Sequence, residues 1–317
     1  MRERVAVSAA TDRKVVLVTR QTRLEELVAR HHTLSQARFY LEHLGADFTD
    51  YLRESEAYAR SLRITVETLQ AWGRHQLLDR RHLPNFIFGA DDIVLALGQD
   101  GLVANTMKYL SGQPLIGVNP EPTRWDGLLL PFEPAMLSDV LADTSRDRRA
   151  SRSITMAEAR LSDGQTLRAV NDLFIGPRTH TSALYDIDLG GVSESQSSSG
   201  IIVATGLGST AWLKSVVTGS QAIAKGYLGG GAAPHYQPLP WDTETLAFAV
   251  REPFPSRTSQ ATLVYGQVSR DQPLRLRSRM PDHGVIFSDG IEADFLRFTA
   301  GMEATVGVAA MQGQLIV

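Results

Sequence analysis

Cysteine is absent from the 317 residues. Disulfides and thiolate metal sites are therefore excluded, and the composition suits a reducing, cytoplasmic setting. Long apolar runs are absent too. No stretch approaches the roughly 20 apolar residues of a membrane span. Met1-Arg2-Glu3-Arg4 opens the chain without the apolar core of a secretory leader. A cytoplasmic protein with no membrane partner is expected. Positive charge is not in excess: 32 Lys and Arg face 35 Asp and Glu, a net charge of −3. That gives no general attraction to nucleic acid. There is no Gly-x-Ser-x-Gly elbow, no P-loop Gly-Lys-Ser/Thr, and nothing that supports a Ser-His-Asp hydrolase. The histidines lack ligand spacing. His31 and His32 are adjacent and point to different sides of a helix, and His180, His235 and His283 stand singly in loop-like sequence. No resident metal is expected.

What remains suits a soluble globular protein. Hydrophobic residues make up 43% and charged residues 21%, enough to fill real cores. The length suits two domains. One stretch organises the chain: Asp91-Asp92-Ile93-Val94-Leu95-Ala96-Leu97-Gly98-Gln99-Asp100-Gly101-Leu102. Residues 93–97 form a short apolar run, as in a strand buried on both faces. Val103, Ala104, Met107 and Leu110 follow at helical spacing, with Gly112 where a helix would stop. A helix start after a glycine turn presents free N–H groups to a phosphate. Asp100 lies inside that turn. It is either an ordinary first-turn acid, or a base or metal holder beside a phosphate.

Residues 14–19 read as a first strand. Thr22 with Glu25, and Thr33 with Gln36, have capping-box spacing. Tyr40, Leu41 and Leu44 share one helical face. Residues 46–72 are charged and helix-prone, residues 76–78 and 114–118 read as strands, and residues 137–141 as a short helix. Alternating strands and helices predict an α/β domain with a mostly parallel sheet over residues 1–125. Ligands bind such sheets at the carboxyl ends of strands, where Asp100 and Asn119 fall. Residues 126–317 predict a β-rich domain. Strands are expected at 153–161, 167–175, 183–189, 200–204, 246–250, 261–264, 274–276, 285–287 and 304–309. Asp163-Gly164 and Asp289-Gly290 are turn signals. Helix is expected only around 209–224, and polar or flexible loops at 193–199 and 229–234.

Four further groups carry candidate chemistry. Asn119, Arg124 and Asp126 follow a strand end, as a ligand loop or as a turn with a surface ion pair. Asn171-Asp172 interrupts a strand pattern. Buried polar groups need partners, so the pair marks a bulge or faces a ligand. Ala204-Thr205-Gly206-Leu207-Gly208-Ser209-Thr210-Ala211-Trp212 reads as strand, Gly-x-Gly turn and helix. Ser209 or Thr210 is placed to cap that helix, its N–H groups offer a second polar ligand site, and Trp212 stacks on a base or packs in the core. Ser288-Asp289-Gly290 alone is a hairpin turn.

Taken together and in this order, these stretches resemble the NAD kinase family. Gly98-Gln99-Asp100-Gly101 takes the place of its Gly-Gly-Asp-Gly motif, and Asn171-Asp172 that of its Asn-Glu pair. The segment from Thr205 to Trp212 is similar to its Thr-Gly-Ser-Thr-Ala-Tyr stretch, and Asp289-Gly290 to its late Asp-Gly. The mitochondrial-type branch is most similar, through Gly117-Val118-Asn119-Pro120-Glu121-Pro122, Ser198-Ser199-Gly200 and Arg251-Glu252-Pro253. The likeness covers residues 90–295. It implies a Rossmann-like α/β domain followed by a β-sandwich-like domain, with the active site in the cleft between them. It also implies phosphoryl transfer from ATP or polyphosphate to the 2′-hydroxyl of the adenosine ribose of NAD, with Mg²⁺ accompanying ATP. Asp100 would be the base. Gly98, Gln99, Gly101 and Asn119 would lie at the phosphates. Asn171, Asp172, Thr205, Gly208, Ser209, Thr210, Ala211 and Trp212 would line the dinucleotide pocket. A homodimer or larger homo-oligomer is expected by the same likeness.

Gln99 replaces a family glycine and Leu102 a family threonine. A left-handed backbone at position 99 would cost Gln99 about 1 kcal/mol or more, and Leu102 lacks a phosphate-binding hydroxyl. Two other readings follow from these residues. Lipid kinases of the diacylglycerol and sphingosine type share the glycine turn, but the Asn171-Asp172 and Thr210-Ala211-Trp212 segments favour a dinucleotide. A weakly active NAD(P)-binding regulator would explain Gln99 and Leu102.

Overall fold

The computed structural model describes residues 13–229 and 235–317. The first four residues and positions 230–234 of the glycine-rich loop lie outside them. In chain order the elements are β1 (Val15–Thr19), α1 (Arg23–His31), α2 (Leu34–His43), α3 (Phe48–Trp72), β2 (His75–Asp79), β3 (Ile93–Leu97), α4 (Asp100–Met107), β4 (Pro114–Val118) and α5 (Leu137–Ser145). There follow β5 (Ser151–Ile154), β6 (Ala157–Leu161), β7 (Thr166–Ala169), β8 (Asp172–Pro177), β9 (Ala183–Leu189), β10 (Val192–Ser198), β11 (Ile201–Ala204) and α6 (Trp212–Leu228). The chain ends with β12 (Leu246–Val250), β13 (Tyr265–Val268), β14 (Leu274–Ser278), β15 (Gly284–Ser288), β16 (Ile291–Arg297), β17 (Glu303–Val308) and β18 (Gly313–Ile316).

Two compact units result. The first takes the described residues up to 106, with 112–152 and 314–317. Its sheet runs β2-β1-β3-β4-β18-β5, and the β1–β2, β1–β3, β3–β4 and β4–β18 pairs are parallel. All five residues of β3 are buried, which is why that strand reads as one unbroken apolar run. Tyr58 and Leu69 of α3 and Val140 and Leu141 of α5 share one core with the strands. Residues 126–152 therefore stay with the first unit, beyond the boundary expected at 125.

The second unit holds residues 107–111 and 153–313. It contains two six-stranded sheets, β10-β9-β14-β17-β6-β7 and β13-β12-β11-β8-β15-β16. Tyr185 and Ile187 of one sheet and Val203 and Phe248 of the other lie in one core, as in a sandwich. The architecture is thus a mixed, mostly parallel sheet with helices followed by antiparallel sheets, as the sequence predicts.

Several details differ from the sequence reading. The strand expected at 153–161 is two, β5 and β6, and the one at 167–175 is β7 and β8. The polar loop expected at 193–199 is β10, with Glu194, Gln196 and Ser198 facing in. Tyr185 Oη donates to Gln196 Oε1 at 2.8 Å and bonds Ser198 Oγ at 2.8 Å. Polar residues thus fill inward positions where an alternation of apolar residues would have marked a strand. No strand forms at 261–264, because the Thr262 and Leu263 N–H groups donate to the Glu194 carboxylate instead of to a ladder. Of the face expected in α2, Leu41 is buried while Tyr40 and Leu44 are exposed. Helix α4 ends at Met107, well short of Gly112.

Candidate functional site

In the first unit, β3 delivers Gly98, whose N–H donates to Val118 O at 3.2 Å. Gln99 O accepts from Leu102 N at 2.8 Å and Val103 N at 3.3 Å, so Gln99 is the last residue before α4. Asp100 opens the helix, where a carboxylate gains from the positive end of the dipole. The Asp100 and Gly101 N–H groups, ahead of Leu102 and Val103, have no acceptor one turn back in the helix. Asp100 Oδ1 accepts from Leu129 N at 2.7 Å. That bond depends on Gly117, since a Cβ there would lie 1.8 Å from Leu129 O. Only glycine lets the 127–130 turn pack this tightly on β4 and aim its amide at Asp100. The second oxygen, Oδ2, has no protein partner among the described residues.

The two departures from the glycine-turn pattern behave differently. Gln99 is not among the described residues with positive φ, so the strain expected there is absent. Leu102 is 3% exposed, and its side chain packs at the bare face of Gly98. A hydroxyl at position 102 would face this core.

Asn119 is buried. Its Nδ2 donates to Trp125 O at 3.1 Å, and its Oδ1 accepts from Glu121 N at 3.0 Å. Both ends of the amide are thus engaged in shaping the 119–127 loop. Arg124 does not pair with Asp126, as the sequence suggested. It reaches Asp50 and Glu121. An unforeseen network runs on from there: Asp50 and Glu54 both accept from Arg23, and Glu54 accepts from Arg20 at 3.0 Å. Arg124, then Arg23, hold the Asp50 carboxyl well below the usual carboxylate range. Buried Arg20 also lies over the Tyr58 ring, 5.0 Å from its centroid. Charged positions of an amphipathic helix read as surface, so the sequence carried no signal for this network.

In the second unit three predicted segments come together. Asp289, with φ of 54°, turns its carboxylate onto the break between β7 and β8. It accepts from Asn171 N at 2.6 Å, from Val170 N at 3.1 Å and from Asp172 N at 3.3 Å. Thr205 N donates to Asn171 O at 2.9 Å. Gly208 closes the arrangement, since a Cβ there would lie 1.9 Å from that same carbonyl oxygen. Among the described residues the Asn171 and Asp172 side chains have no hydrogen-bond partner. Burial, and then the Asp289 charge, push the Asp172 carboxyl up to about 7. Burial raises Asp289 as well, against its backbone donors and Lys108. Lys108 is itself buried, donates to Ser288 Oγ at 3.0 Å and pairs with Asp294 at 3.0 Å. It lies past the end of α4, and no motif marked it.

The Gly-x-Gly turn corrects one expectation. The N–H groups of Gly208, Ser209, Thr210 and Ala211 all bond within the turn, so none is free for a ligand. Ser209 and Thr210 do not cap α6 either. Ser209 Oγ donates to Gly206 O at 2.6 Å and Thr210 Oγ1 to Leu207 O at 3.0 Å. Thr205, Gly208 and Ser209 are buried framework, whereas Thr210 and Ala211 are exposed and Trp212 half-buried. Trp212 stacks on Phe174, with centroids 5.6 Å apart and planes 10° from parallel. Among the described residues no group of three or more His, Asp or Glu side chains is placed to hold a metal ion.

No family model matches the chain, and no curated protein matches it. Solved structures do. Yeast NADH kinase, complexed with NADH, superposes with a TM-score of 0.56 at 16% identity, over 96% of this chain and 83% of that one. An NAD kinase from Archaeoglobus fulgidus, in complex with ATP, does so with a TM-score of 0.53 at 15% identity, over 96% and 93%. The chain therefore has the two-part fold of NAD(H) kinases.

Proposed function

We propose that this protein transfers a phosphoryl group from ATP, or from polyphosphate, to the 2′-hydroxyl of the adenosine ribose of NAD. The observation that carries the reading is Asp100. It is a carboxylate at a helix start after a glycine turn, fixed through one oxygen and open at the other. Phosphoryl transfer is mostly positioning and charge neutralisation, with a carboxylate taking the proton of the attacking hydroxyl. Asp100 Oδ2 would accept that proton while the Leu129 amide holds Oδ1. The Asp100 and Gly101 N–H groups at the helix start would face the transferred phosphate.

In the second unit, Asn171 and Asp172 would recognise ribose hydroxyls or the adenine edge with polar groups that have no other partner. Trp212 would supply a stacking face. Mg²⁺ would enter as part of the ATP substrate, with Asp100 the carboxylate nearest the glycine turn. The fold likeness to a structure holding NADH and another holding ATP supports both substrates.

The test is direct. Purified protein is given NAD⁺, Mg²⁺ and either ATP or polyphosphate, and NADP⁺ is measured by an NADP-specific dehydrogenase. NADP⁺ formation dependent on the donor is expected. Binding of NAD⁺ without any NADP⁺ from either donor would refute the catalytic reading.

A further inference from the structure

Helix α6 continues past the surface that holds it. Leu213 is its buried residue. It packs with Ala204 of β11 and with Ala247 and Ala249 of β12, and Val216 and Val217 lie against the same cluster. From Ala222 to Leu228 every residue of the helix is exposed, yet the apolar stripe does not stop. Leu213, Val216, Ser220, Ile223 and Tyr227 recur three and four residues apart. The face that is covered at the start of α6 is therefore the face that lies bare at its end. Ile223, Tyr227 and Leu228 are 74%, 88% and 76% exposed. Lys225 is the one charge between 222 and 228. A solvated helix face carries more polar residues than this, and a helix end without tertiary packing is marginal in water.

A cavity of about 660 Å³ flanks the first half of the helix. Val216, Val217, Tyr236, Ala249, Val250 and Tyr265 are among its walls. One element thus presents an apolar knob at its end and borders an apolar groove at its start.

We infer that this face of α6 binds a second copy of the chain, the two helices running antiparallel about a two-fold axis near Ser220. Ser220 stands midway between Val217 and Ile223, and midway between Leu213 and Tyr227. The axis lays Ile223 and Tyr227 of each copy over the groove beside Val216 and Val217 of the other. Such a contact closes on itself, because each copy gives the same tail and receives it in the same groove. Lys214 and Lys225, the charged residues of α6, lie off the stripe, so the contact buries no charge. Near the axis, a Cβ added at Gly219 would meet no heavy atom within 4 Å, which leaves the two backbones free to approach. Ile223, Tyr227, Leu228 and Tyr265 expose on the order of 500 Å² between them, at about 150–250 Å² for an aromatic side chain. A standard interface takes roughly 800 Å² per partner, and the groove walls supply the remainder. The family likeness implies a homo-oligomer without a surface for it, and α6 supplies that surface.

Sedimentation of the full chain over a dilution series tests the assembly, and a single cysteine tests the axis. The wild type should sediment at twice the chain mass and dissociate on dilution. The Ile223→Glu, Tyr227→Glu double variant changes two exposed residues, so it should keep the wild-type circular dichroism. Its dimer should be weaker by about a hundred-fold or more, the scale of two interface hot spots. Because the chain has no cysteine, Ser220→Cys carries one thiol. A short bis-maleimide should join it into a covalent dimer, whereas Gln165→Cys, in an exposed turn, should stay unlinked. A wild type that is monomeric throughout, a dimer that the double variant leaves intact, or a Ser220→Cys protein that does not cross-link would each overturn the inference. NADP⁺ formation plays no part in these readings, so the proposed activity stands or falls separately.

Discussion

Asp289 Oδ1 lies 2.6 Å from the amide nitrogen of Asn171, 118 residues earlier in the chain. One side chain thereby holds the backbone of the Val170-Asn171-Asp172 break, where the sheet ladder gives those N–H groups no partner. Replacing Asp289 with alanine leaves three buried amides unsatisfied, each at about 1–3 kcal/mol. Urea unfolding of Asp289→Ala should show a loss on the order of 3 kcal/mol, and NAD⁺ affinity should fall with it. A loss below about 0.5 kcal/mol would mean the clamp is unimportant.

Asp172 gives a pH dependence of definite sign. Its carboxyl in the folded protein is raised to about 7, from an ordinary 3.8. The folded state therefore binds the proton more tightly than the unfolded one. The stability this adds is complete below 3.8 and is lost as pH rises to about 7. Asp289, also raised by burial, acts in the same direction. Chemical denaturation across this window should show the wild type losing stability that Asp172→Asn retains. Parallel curves for the two proteins would contradict the assignment.

Asp100→Asn should fold normally, because the amide oxygen can still accept from Leu129 N. It should bind NAD⁺ nearly as well as the wild type and lose turnover by roughly 10²–10⁴, the usual worth of a general base. Near-normal kcat would remove Asp100 from the chemistry.

Two glycines of the predicted motifs should respond oppositely to alanine. At Gly208 the new Cβ meets the Asn171 carbonyl oxygen at 1.9 Å. A backbone shift there should cost about 1–3 kcal/mol and disturb NAD⁺ binding. At Gly101 no heavy atom lies within 4 Å, so Gly101→Ala inside α4 should be neutral or gain up to about 1 kcal/mol. Thermal melts of both variants decide the matter. Equal behaviour would undercut the close-approach argument.

Gln99→Gly should raise kcat/KM for ATP several-fold, by clearing a side chain from the helix start. It should not add stability through relief of strain, because Gln99 has none. Leu102→Thr should instead destabilise, by about 1–3 kcal/mol, because its hydroxyl would enter a buried site. An unchanged or lower kcat/KM in Gln99→Gly would show that the amide is adapted to the donor.

Local chemistry was legible in the sequence wherever one segment suffices to determine it. The apolar run of β3, the glycine turn and the acid at the start of α4 all follow from neighbours along the chain. So do the Thr22–Glu25 capping box, found intact, and the alternation of strands and helices that predicts the first sheet. The order of short motifs also pointed to a known fold, because each is a local turn with local requirements.

Tertiary structure decided what depends on residues far apart. It sends β18 back beside β4, which a four-residue strand at the chain end could not announce. It makes β10 a strand by giving its polar side chains buried partners. It also sorts the Thr205–Trp212 segment into framework and surface: Ser209 is buried by Leu239 and Tyr236 contacts, while Trp212 lies half-buried against the Phe174 ring. Asp289 becomes a neighbour of Asn171 and Asp172, and Lys108 of Ser288 and Asp294, only in the fold. Charge and polarity along the chain name the side chains that can do chemistry. Which of them lose water, and which find partners, depends on burial, and burial is set by contacts between distant segments.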